Sequence, residues 1–295
     1  MKRLKVDSPL FVKLSKNKYT WWQNIKKDKD LSIQIRKNNH IDVYYDGGAI
    51  LRNLSLNKKG AFQGCIHNEY IPFKDSKYKN YRIGQSVEFD EPRIRMVDIN
   101  NFSGKNLDLY KRQINKHFSK TSEKGIQFAF IKNDTYFIDA EIMDTYKGKD
   151  IRIDLVRMDV PSKKIVFFEV KTWGDSRLYS TQEGNIVDQL NMYKEYLSKN
   201  KKMLEEYYKK IYRIKYNLGI LPNKLVAEEE NIDEYTVEVK PMLLFGDGLQ
   251  MWINANSEKL DKRIKNVALG CYYFGKPTYN CDLIPKTKKN RHIYG

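Results

Sequence analysis

The chain has 295 residues, more than a typical single domain, and its 41% hydrophobic and 13% aromatic content excludes a wholly disordered protein. It contains neither the roughly 18 consecutive apolar residues that cross a bilayer nor the apolar stretch of a secretory signal, so we expect a cytoplasmic protein with no membrane contact. The net charge of +17 favours a polyanionic partner such as nucleic acid, although the Lys-rich composition of an AT-rich genome gives the same excess.

Residues 31–66 alternate between apolar and polar side chains, which is the pattern of half-buried antiparallel strands. The hairpin signal Asp46-Gly47-Gly48 helps to divide this segment into a meander of about four strands. Before the meander, Trp21 and Trp22 lie among several lysines. They either cover the sheet from a short helix or form a stacking platform for nucleic acid.

The sequence pattern changes near Ser103-Gly104, and we place a domain boundary there. We predict a β-rich accessory domain over residues 1–103, which recognises nucleic acid, senses a trigger, binds a partner protein or forms a homodimer. Residues 1–103 carry 20 basic and 11 acidic side chains, so this domain holds a disproportionate share of the positive charge. If the charge serves nucleic acid, much of the electrostatic attraction comes from this domain.

Residues 104–295 predict a helix, three strands, further helix, a strand, a helix and a last strand. Short turns join the three consecutive strands, which favours antiparallel neighbours. This order is typical of an α/β/α sandwich on a mixed sheet. The predicted segments are a helix over 105–121, strands TYFIDAEIMD, IRIDLVRMD and KIVFFEVKT, helices over 185–200 and 201–217, a strand YTVEVKPMLLF, a helix over 256–266 and a strand ALGCYYF.

Two acids and a lysine converge on the predicted sheet. Glu169 and Lys171 lie two apart on one strand, so their side chains leave the same face, and the short turn brings Asp154 of the preceding strand beside them. Two carboxylates at a sheet edge form a hard-oxygen site suited to Mg²⁺ or Mn²⁺. A lysine in the same cluster orients or deprotonates a water, or neutralises charge that develops on phosphate.

The acid-x-Lys pattern alone is not specific, because it also occurs at Asp75/Lys77 and at Glu238/Lys240. Only Glu169/Lys171 has an acid-bearing strand about 15 residues before it and a helix with Gln189 and Tyr193 after it. Those two residues are four apart, so they share one face of the predicted helix.

The segments IDLVRMD and FFEVKT, with the Gln-x-x-x-Tyr of QLNMY, resemble motifs of the PD-(D/E)XK nuclease superfamily, especially its RecB-like branch. The resemblance covers roughly residues 104–272 and does not reach the first hundred. It implies a restriction-endonuclease-like α/β/α core on a mixed sheet within a C-terminal nuclease domain, residues 104–295. With the β-rich domain before it, the whole chain is expected to combine α+β and α/β parts.

The resemblance also implies roles for individual residues. Asp154 and Glu169 would bind the divalent metal, Mg²⁺ or Mn²⁺. Lys171 would serve the attacking water, and Gln189 and Tyr193 would help to position the active site or the nucleic-acid strand. The alternatives are a solvated salt-bridge cluster for the first three and ordinary helix packing for the last two.

Two residues compete for one more metal position. His117 lies on the apolar face of the helix before the sheet, where RecB-like nucleases tend to carry a metal-binding histidine. Glu141 lies within the first strand, and related nucleases often use an upstream glutamate. Asp139 shares the predicted face of Glu141 and stays open as a further candidate.

The segment that follows Lys171 offers two candidate contacts to nucleic acid. Trp173 either stacks on a base or plugs the junction of sheet and helix, and Arg177 is a candidate to clamp a phosphate. The three cysteines, Cys65, Cys271 and Cys281, lack CxxC spacing, which fits a reducing cytoplasm and departs from the iron–sulfur members of the branch.

We therefore expect a metal-dependent nuclease that hydrolyses phosphodiester bonds, with DNA as the substrate because the superfamily contains mostly DNA-cleaving enzymes. A DNA endonuclease in restriction or anti-phage defence is the specific hypothesis. The alternatives are an RNA-cleaving or exonucleolytic member of the superfamily and a non-catalytic nucleic-acid-binding or assembly protein. The sequence has no Gly-x-x-x-x-Gly-Lys-Ser/Thr motif, so any translocation along DNA would need a partner.

Overall fold

In the computed structural model the chain is mixed α/β, has two sheets and divides into two compact units. The first unit comprises Met1–Lys120 with Lys210–Leu221, and the second comprises Thr121–Lys209 with Pro222–Gly295. The mixed α/β class expected from the sequence is confirmed. The structure describes residues 3–70, 80–84, 95–98, 104–118, 122–133, 136–222, 225–226, 231–246, 250–274 and 291–293.

The first unit is built on a six-stranded sheet in the order β1-β2-β3-β4-β5-β6. The pairs are antiparallel except for β5 and β6, which run parallel. The four strands predicted within residues 31–66 are present, whereas β5 and β6 lie where the sequence showed no periodicity. The elements are α1 (Pro9–Ser15), α2 (Thr20–Lys27), β1 (Ser32–Arg36), β2 (His40–Tyr45), β3 (Gly48–Leu56), β4 (Phe62–His67), β5 (Asn80–Gly84), β6 (Arg95–Asp98) and α3 (Gly104–Ile114).

Local sequence explains the β2–β3 hairpin. Its central residues, Asp46 and Gly47, both have positive φ angles of 42° and 90°, as a two-residue hairpin of the type favoured by Asp-Gly requires. Helix α2 buries Trp21 and Trp22, and the Trp21 ring meets Phe62 edge-on at 5.2 Å between centroids. The two indoles are therefore core residues, and a nucleic-acid stacking platform at this position is excluded.

Helix α3 belongs to the first unit, which moves the boundary from Ser103-Gly104 to Lys120. Lys111 of α3 pairs with Asp28 at 2.6 Å and with Asp30 at 3.4 Å, and it is almost fully buried. Ile114 fits so closely over Gly48 that a Cβ added there would lie 2.6 Å from its Cγ2. The sequence pattern does change near residue 103, but these contacts make α3 part of the first unit.

The second unit is built on a mixed sheet in the order β13-β12-β11-β9-β8-β7, with β10 pairing β9. Strands β7, β8 and β9 are antiparallel, β9, β11 and β12 are parallel, and β13 is antiparallel to β12. The elements are α4 (Glu123–Asn133), β7 (Phe137–Tyr146), β8 (Lys149–Asp159), β9 (Lys164–Thr172), α5 (Ile186–Leu218), β10 (Thr236–Val237), β11 (Met242–Gly246), α6 (Gln250–Ile264), β12 (Gly270–Tyr273) and β13 (Arg291–Ile293).

Successive strand residues point to opposite sides of this sheet, so each face has its own apolar side chains. Helices cover both faces. On one face, residues of α4 join a cluster with alternate sheet residues: Ile126, Phe130, Phe168, Val170, Leu244 and Tyr272. On the other face, α5 and α6 pack on the intervening residues: Ile186, Leu190, Leu243, Phe245, Ile253, Ile264 and Tyr273. The second unit is therefore a three-layer arrangement of helix, sheet and helix.

Several element boundaries differ from those predicted. The helix expected over 105–121 ends at Ile114, and the separate helix α4 follows it. The strand predicted in YTVEVKPMLLF is interrupted before Pro241, which has no N–H for a sheet hydrogen bond. The helix expected over 256–266 begins earlier, at Gln250, and the two helices expected over 185–217 are one continuous helix, α5. The basic segment KTKKNR, residues 286–291, lies outside the described residues except for Arg291.

No helix that the structure describes is long and apolar enough to cross a membrane.

Replacing Gly48 by alanine should destabilise the first unit. The added methyl group would overlap Ile114 and approach the Phe118 ring at 3.0 Å, and overpacking of this kind costs about 1–3 kcal/mol. Thermal denaturation followed by circular dichroism measures the loss. Gly174→Ala is the matched control, because nothing lies within 4 Å of a Cβ at that position. Equal melting temperatures for the two variants would contradict the packing of α3 described above.

Candidate metal centre

Strands β8 and β9 bring Asp154 next to Glu169. Leu155 pairs with Phe168, so the residues on either side of this pair, Asp154 and Glu169, are cross-strand neighbours. Asp154 Oδ2 accepts a hydrogen bond from the backbone N–H of Val170 at 2.8 Å. The side chain therefore satisfies a strand N–H, and this fixes the carboxylate against the end of β9.

A third carboxylate, Glu123, joins these two from the first turn of α4. One oxygen each of Glu123, Asp154 and Glu169 lies within 4.8 Å of the others. Gln127, one turn further along α4, donates from Nε2 to the carbonyl of Asp154 at 2.5 Å and ties the helix to β8. We call Glu123, Asp154 and Glu169 the acidic cluster.

Glu123 was not singled out in the sequence, although a signal for its helix exists. Ser122 Oγ accepts the backbone N–H of Gly125 at 3.1 Å, as an N-cap serine does, and an apolar run follows. This serine before the apolar run predicts a helix start. The acid at the first helical position, Glu123, is then a candidate to lie beside Asp154.

Lys171 lies inside the acidic cluster. Its side chain is 1% exposed, and its Nζ contacts Glu169 Oε1 and lies 3.8 Å from Glu123 Oε1 and 3.9 Å from Asp175 Oδ2. Burial alone lowers the pKa of Lys171, but the carboxylates of Glu169, Glu123 and Asp154 outweigh it and raise the pKa above its ordinary value. Lys171 is therefore an ammonium ion when these carboxylates are ionised.

The two oxygens of Glu169 have different surroundings. Oε1 accepts hydrogen bonds from Lys171 Nζ and from Gln189 Nε2, the latter at 2.6 Å. Oε2 is buried, and within the part of the chain that the structure describes it has no hydrogen-bond partner. A buried carboxylate oxygen without a partner is costly, so this atom is suited to coordinate a cation.

Burial raises the pKa of Asp154 well above its ordinary value, and the neighbouring Glu169 raises it further. Burial also raises the pKa of Glu169, although the Lys171 ammonium opposes the shift. Burial is the main cause of both shifts, and a single ammonium faces these two buried carboxylates and the partly exposed Glu123. A divalent cation would relieve this, and oxygen-only ligands favour Mg²⁺ or Mn²⁺.

Gln189 and Tyr193 occupy one face of α5 beside the acidic cluster. Besides its bond to Glu169, Gln189 Nε2 donates to the Tyr193 hydroxyl at 2.9 Å. That hydroxyl donates to the carbonyl of Arg152 at 2.5 Å. The pair therefore links α5 to both β8 and β9, and Gln189 holds Glu169 so that Oε2 stays free of protein donors.

The two candidates for nucleic-acid contact differ in position. Arg177 lines an open cleft in front of the acidic cluster and pairs with Asp175. Trp173 is 49% exposed, and its carbonyl accepts a bond from the Tyr179 hydroxyl at 2.6 Å. Trp173 is not among the residues that line the cleft. It does not plug the junction of sheet and helix either, because about half of its surface is exposed.

The structure brings neither His117 nor Glu141 into the acidic cluster. His117 follows α3 in the first unit, where its Nδ1 lies 3.7 Å from Glu69. Glu141 has a φ of 52°, outside the extended region, and its carboxylate pairs with Arg152 at 2.8 Å and with Lys124 at 3.6 Å. In both cases other partners engage the side chain, and Glu123 supplies the third carboxylate instead.

Asp139 is also held elsewhere. It is buried, accepts the backbone N–H of Ala140 at 2.8 Å and accepts a bond from the Tyr208 hydroxyl at 3.3 Å. The first contact lies within β7 and the second ties β7 to α5, so Asp139 stabilises the second unit and is not a member of the cluster.

The cleft in front of the acidic cluster has a volume of about 1180 Å³ and lies within the second unit. This is large enough for a segment of a polymer rather than a single small ligand. Its rim carries both signs of charge. The cationic rim residues are Lys124, Lys147, Lys149, Arg152 and Arg177, and the anionic ones are Asp150, Glu183, Asp188 and Glu195.

No protein-family model, no curated protein and no solved structure matches the chain. The proposed function therefore rests on the side chains of the site and on the motifs that the sequence resembles.

Stabilisation of the protein by Mg²⁺ should increase with pH. The carboxyls of Asp154 and Glu169 hold protons above their ordinary pKa values of 3.8 and 4.5, so the metal-free fold loses stability as rising pH ionises them. Mg²⁺ must displace those protons, and its binding strengthens once they are gone. At millimolar Mg²⁺ we expect the melting temperature to rise by about 3–10 °C at pH 8, and by less at pH 5.5.

The control for this measurement is Asp154→Asn, which removes a charged ligand and keeps an oxygen that can accept the Val170 N–H. This variant should be at least as stable as the wild type without metal, and it should lose most of the Mg²⁺ shift. A shift of equal size at every pH, or one that survives in Asp154→Asn, would mean that Mg²⁺ binds elsewhere.

Proposed function

We propose that the chain is a divalent-metal-dependent nuclease of the PD-(D/E)XK superfamily that hydrolyses phosphodiester bonds, and specifically a DNA endonuclease. One observation carries the proposal. Three carboxylates surround a buried lysine at the floor of an open cleft, and one buried carboxylate oxygen has no partner.

The fold of the second unit supports the same proposal. Helix α4 precedes the antiparallel strands β7, β8 and β9, helix α5 follows them, and parallel strands extend the sheet on the far side of β9. Helices lie on both faces. This arrangement is compatible with the restriction-endonuclease-like core that the motifs imply.

The residues present fit a hard divalent cation. Asp154, Glu169 and Glu123 would hold Mg²⁺ or Mn²⁺, with the free Oε2 of Glu169 as one ligand atom. When bound, such an ion lowers the pKa of a coordinated water and polarises the phosphodiester. Gln189 contributes by keeping the Glu169 carboxylate in one orientation.

Lys171 acts as a cation in this proposal. In the metal-free protein the surrounding carboxylates raise the pKa of Lys171, so its side chain is an ammonium ion, which donates hydrogen bonds but cannot accept a proton. Its donors suit the oxygen of an attacking water or a non-bridging oxygen of the substrate phosphate. Lys171 would therefore orient the water or neutralise developing charge, in preference to acting as a base.

DNA is the proposed substrate because the superfamily that the motifs resemble contains mostly DNA-cleaving enzymes. The cationic residues that line the cleft are suited to contact a phosphate backbone. A role in restriction or anti-phage defence follows from the same resemblance and has no separate support in the structure.

Purified wild-type protein should nick supercoiled plasmid in Mg²⁺ and not in EDTA. Lys171→Met keeps the length of the side chain but removes the charge, and we expect it to slow nicking by at least about 100-fold. The assay is gel electrophoresis of a circular plasmid over time. Lys240→Met is the matched control, because Lys240 belongs to a second acid-x-Lys pair outside the cleft, and it should cut within about twofold of wild type.

Circular dichroism melts should accompany the assay, so that loss of activity can be separated from loss of fold. If wild type and Lys171→Met bind DNA alike and neither cuts any substrate, the protein is a nucleic-acid-binding or assembly protein and the nuclease proposal is wrong. Linear duplex, single-stranded DNA and RNA belong in the same series. Cleavage of linear but not circular DNA would identify an exonuclease, and cleavage of RNA alone would change the substrate.

A further inference from the structure

Arg177 is anchored beside the acidic cluster by Asp175. Its Nε donates to Asp175 Oδ1 at 2.9 Å, and its Nη2 donates to Oδ2 at 2.5 Å, so the two groups form a two-pronged pair. The Asp175 side chain is 10% exposed, whereas that of Arg177 is 43% exposed and lines the cleft. Such a buried carboxylate fixes the guanidinium and leaves its far edge towards solvent.

The anchored guanidinium still has N–H groups to offer. An arginine carries five N–H donors, and Asp175 takes those on one side of the group. Gln189 Oε1 lies 3.4 Å from Nη1 and takes a further donor at long range. Within the described part of the chain, one N–H on each terminal nitrogen has no protein acceptor. These remaining donors are suited to the oxygens of a phosphate.

Asp175 also brings Arg177 close to Lys171. Asp175 Oδ2 lies 2.5 Å from Arg177 Nη2 and 3.9 Å from Lys171 Nζ, so the two nitrogens are no more than 6.4 Å apart. Charge-assisted N–H···O bonds are about 2.8 Å long, so one phosphate group can bridge two donors at that separation. The two cations can therefore contact the same phosphate.

We propose that Arg177 binds the scissile phosphate together with Lys171, and that Asp175 is the positioning residue that holds Arg177 for this contact. The inference rests on the proposed nuclease function and adds the group that recognises the reacting phosphate. Its contribution should be larger in the transition state than in the bound substrate, because negative charge builds up on the phosphate oxygens as the bond breaks.

Asp175 suits this role because its carboxyl group is ionised. Burial alone raises the pKa of its carboxyl, but the hydrogen bonds from Arg177 and the charge of Lys171 lower the pKa below its ordinary value. The carboxylate thus stays ionised and keeps the guanidinium in place before substrate arrives. This preorganisation removes the cost of ordering a long side chain during the reaction.

The test compares Arg177→Ala, Arg177→Lys and Asp175→Asn with wild type in plasmid nicking under single-turnover conditions. We expect Arg177→Ala to lower the rate of the chemical step about 100-fold, while affinity for DNA in Ca²⁺ changes less than about 10-fold. Arg177→Lys should restore little, because a lysine cannot donate two parallel N–H groups. Asp175→Asn should lower the rate about 10-fold.

A double-mutant cycle distinguishes positioning from an independent role of Asp175. If Asp175 acts through Arg177, adding Asp175→Asn to Arg177→Ala should cost less than about twofold more. The control pair is Arg157→Ala and Asp159→Asn, which lie at the same two-residue spacing with Nη1 3.3 Å from Oδ1 and do not line the cleft. Both control variants should cut within about twofold of wild type.

Each outcome bears on a separate claim. An Arg177→Ala variant that cuts as fast as an active wild type would overturn the inference and leave the nuclease proposal intact. Additive losses in the cycle would show that Asp175 acts on Lys171 and not through Arg177. An inactive wild type would count against the proposed function itself. If Arg177→Ala melts at a lower temperature, Arg177→Gln serves as the second variant, with the same expected loss of rate.

Discussion

Two buried carboxylates and one partly exposed carboxylate share a single ammonium, and the second unit depends on this interaction. If Glu123, Asp154 and Glu169 are all ionised, Lys171 leaves two negative charges uncompensated among them. A poorly hydrated site cannot carry such an excess cheaply, so it holds protons, as the raised pKa values of the two strand carboxyls indicate, or it holds a divalent cation. Structural ion pairs in proteins are usually balanced in charge. Here the balance must come from protons or from a bound cation, and the proposed function requires the cation.

The frame around the cluster explains why the carboxylates cannot relax away from one another. Asp154 is fixed by the backbone N–H of Val170, and Glu169 Oε1 is fixed by two donors from different elements. Lys171 and Gln189 both bind the same oxygen, which leaves the other oxygen without a donor. The protein thus satisfies one oxygen of the Glu169 carboxylate itself, and in the proposed function a cation would satisfy the other.

Much of this arrangement could be predicted from the sequence, because it depends on local patterns. The alternation in the strands that became β8 and β9, joined by a short turn, was enough to expect Asp154 beside Glu169 and Lys171. Helix α4 was missed, and its composition explains why. Its residues Ile126, Phe128, Ala129 and Phe130 are all buried, so the helix has no polar face to give it a helical period. Glu123 depended on that helix and was missed with it.

His117 was expected beside the metal site but lies in the first unit, and the reason differs from that for Glu123. Its helical spacing gave an apolar face, and the sequence alone does not say which sheet that face covers. Helix α3 packs on β3, where Ile114 lies against Gly48. Elements that follow one another in the chain usually lie side by side, but not always. A helix directly before a strand can therefore belong to another unit when its long-range contacts are made there. The side chain that follows α3 therefore has partners of the first unit.

Helix α5 contributes residues to both units, so a single cut in the chain does not separate them. Its first turns carry Gln189 and Tyr193, and its residues after Lys209 belong to the first unit. There Lys215 is almost fully buried and lies 3.3 Å from Gln34 of β1. A fragment cut at residue 104 would keep this helix but lose β1, and with β1 the contact between Gln34 and this buried lysine. The excised segment 104–295 is therefore not equivalent to the second unit, and activity lost on truncation would not by itself assign a function to residues 1–103.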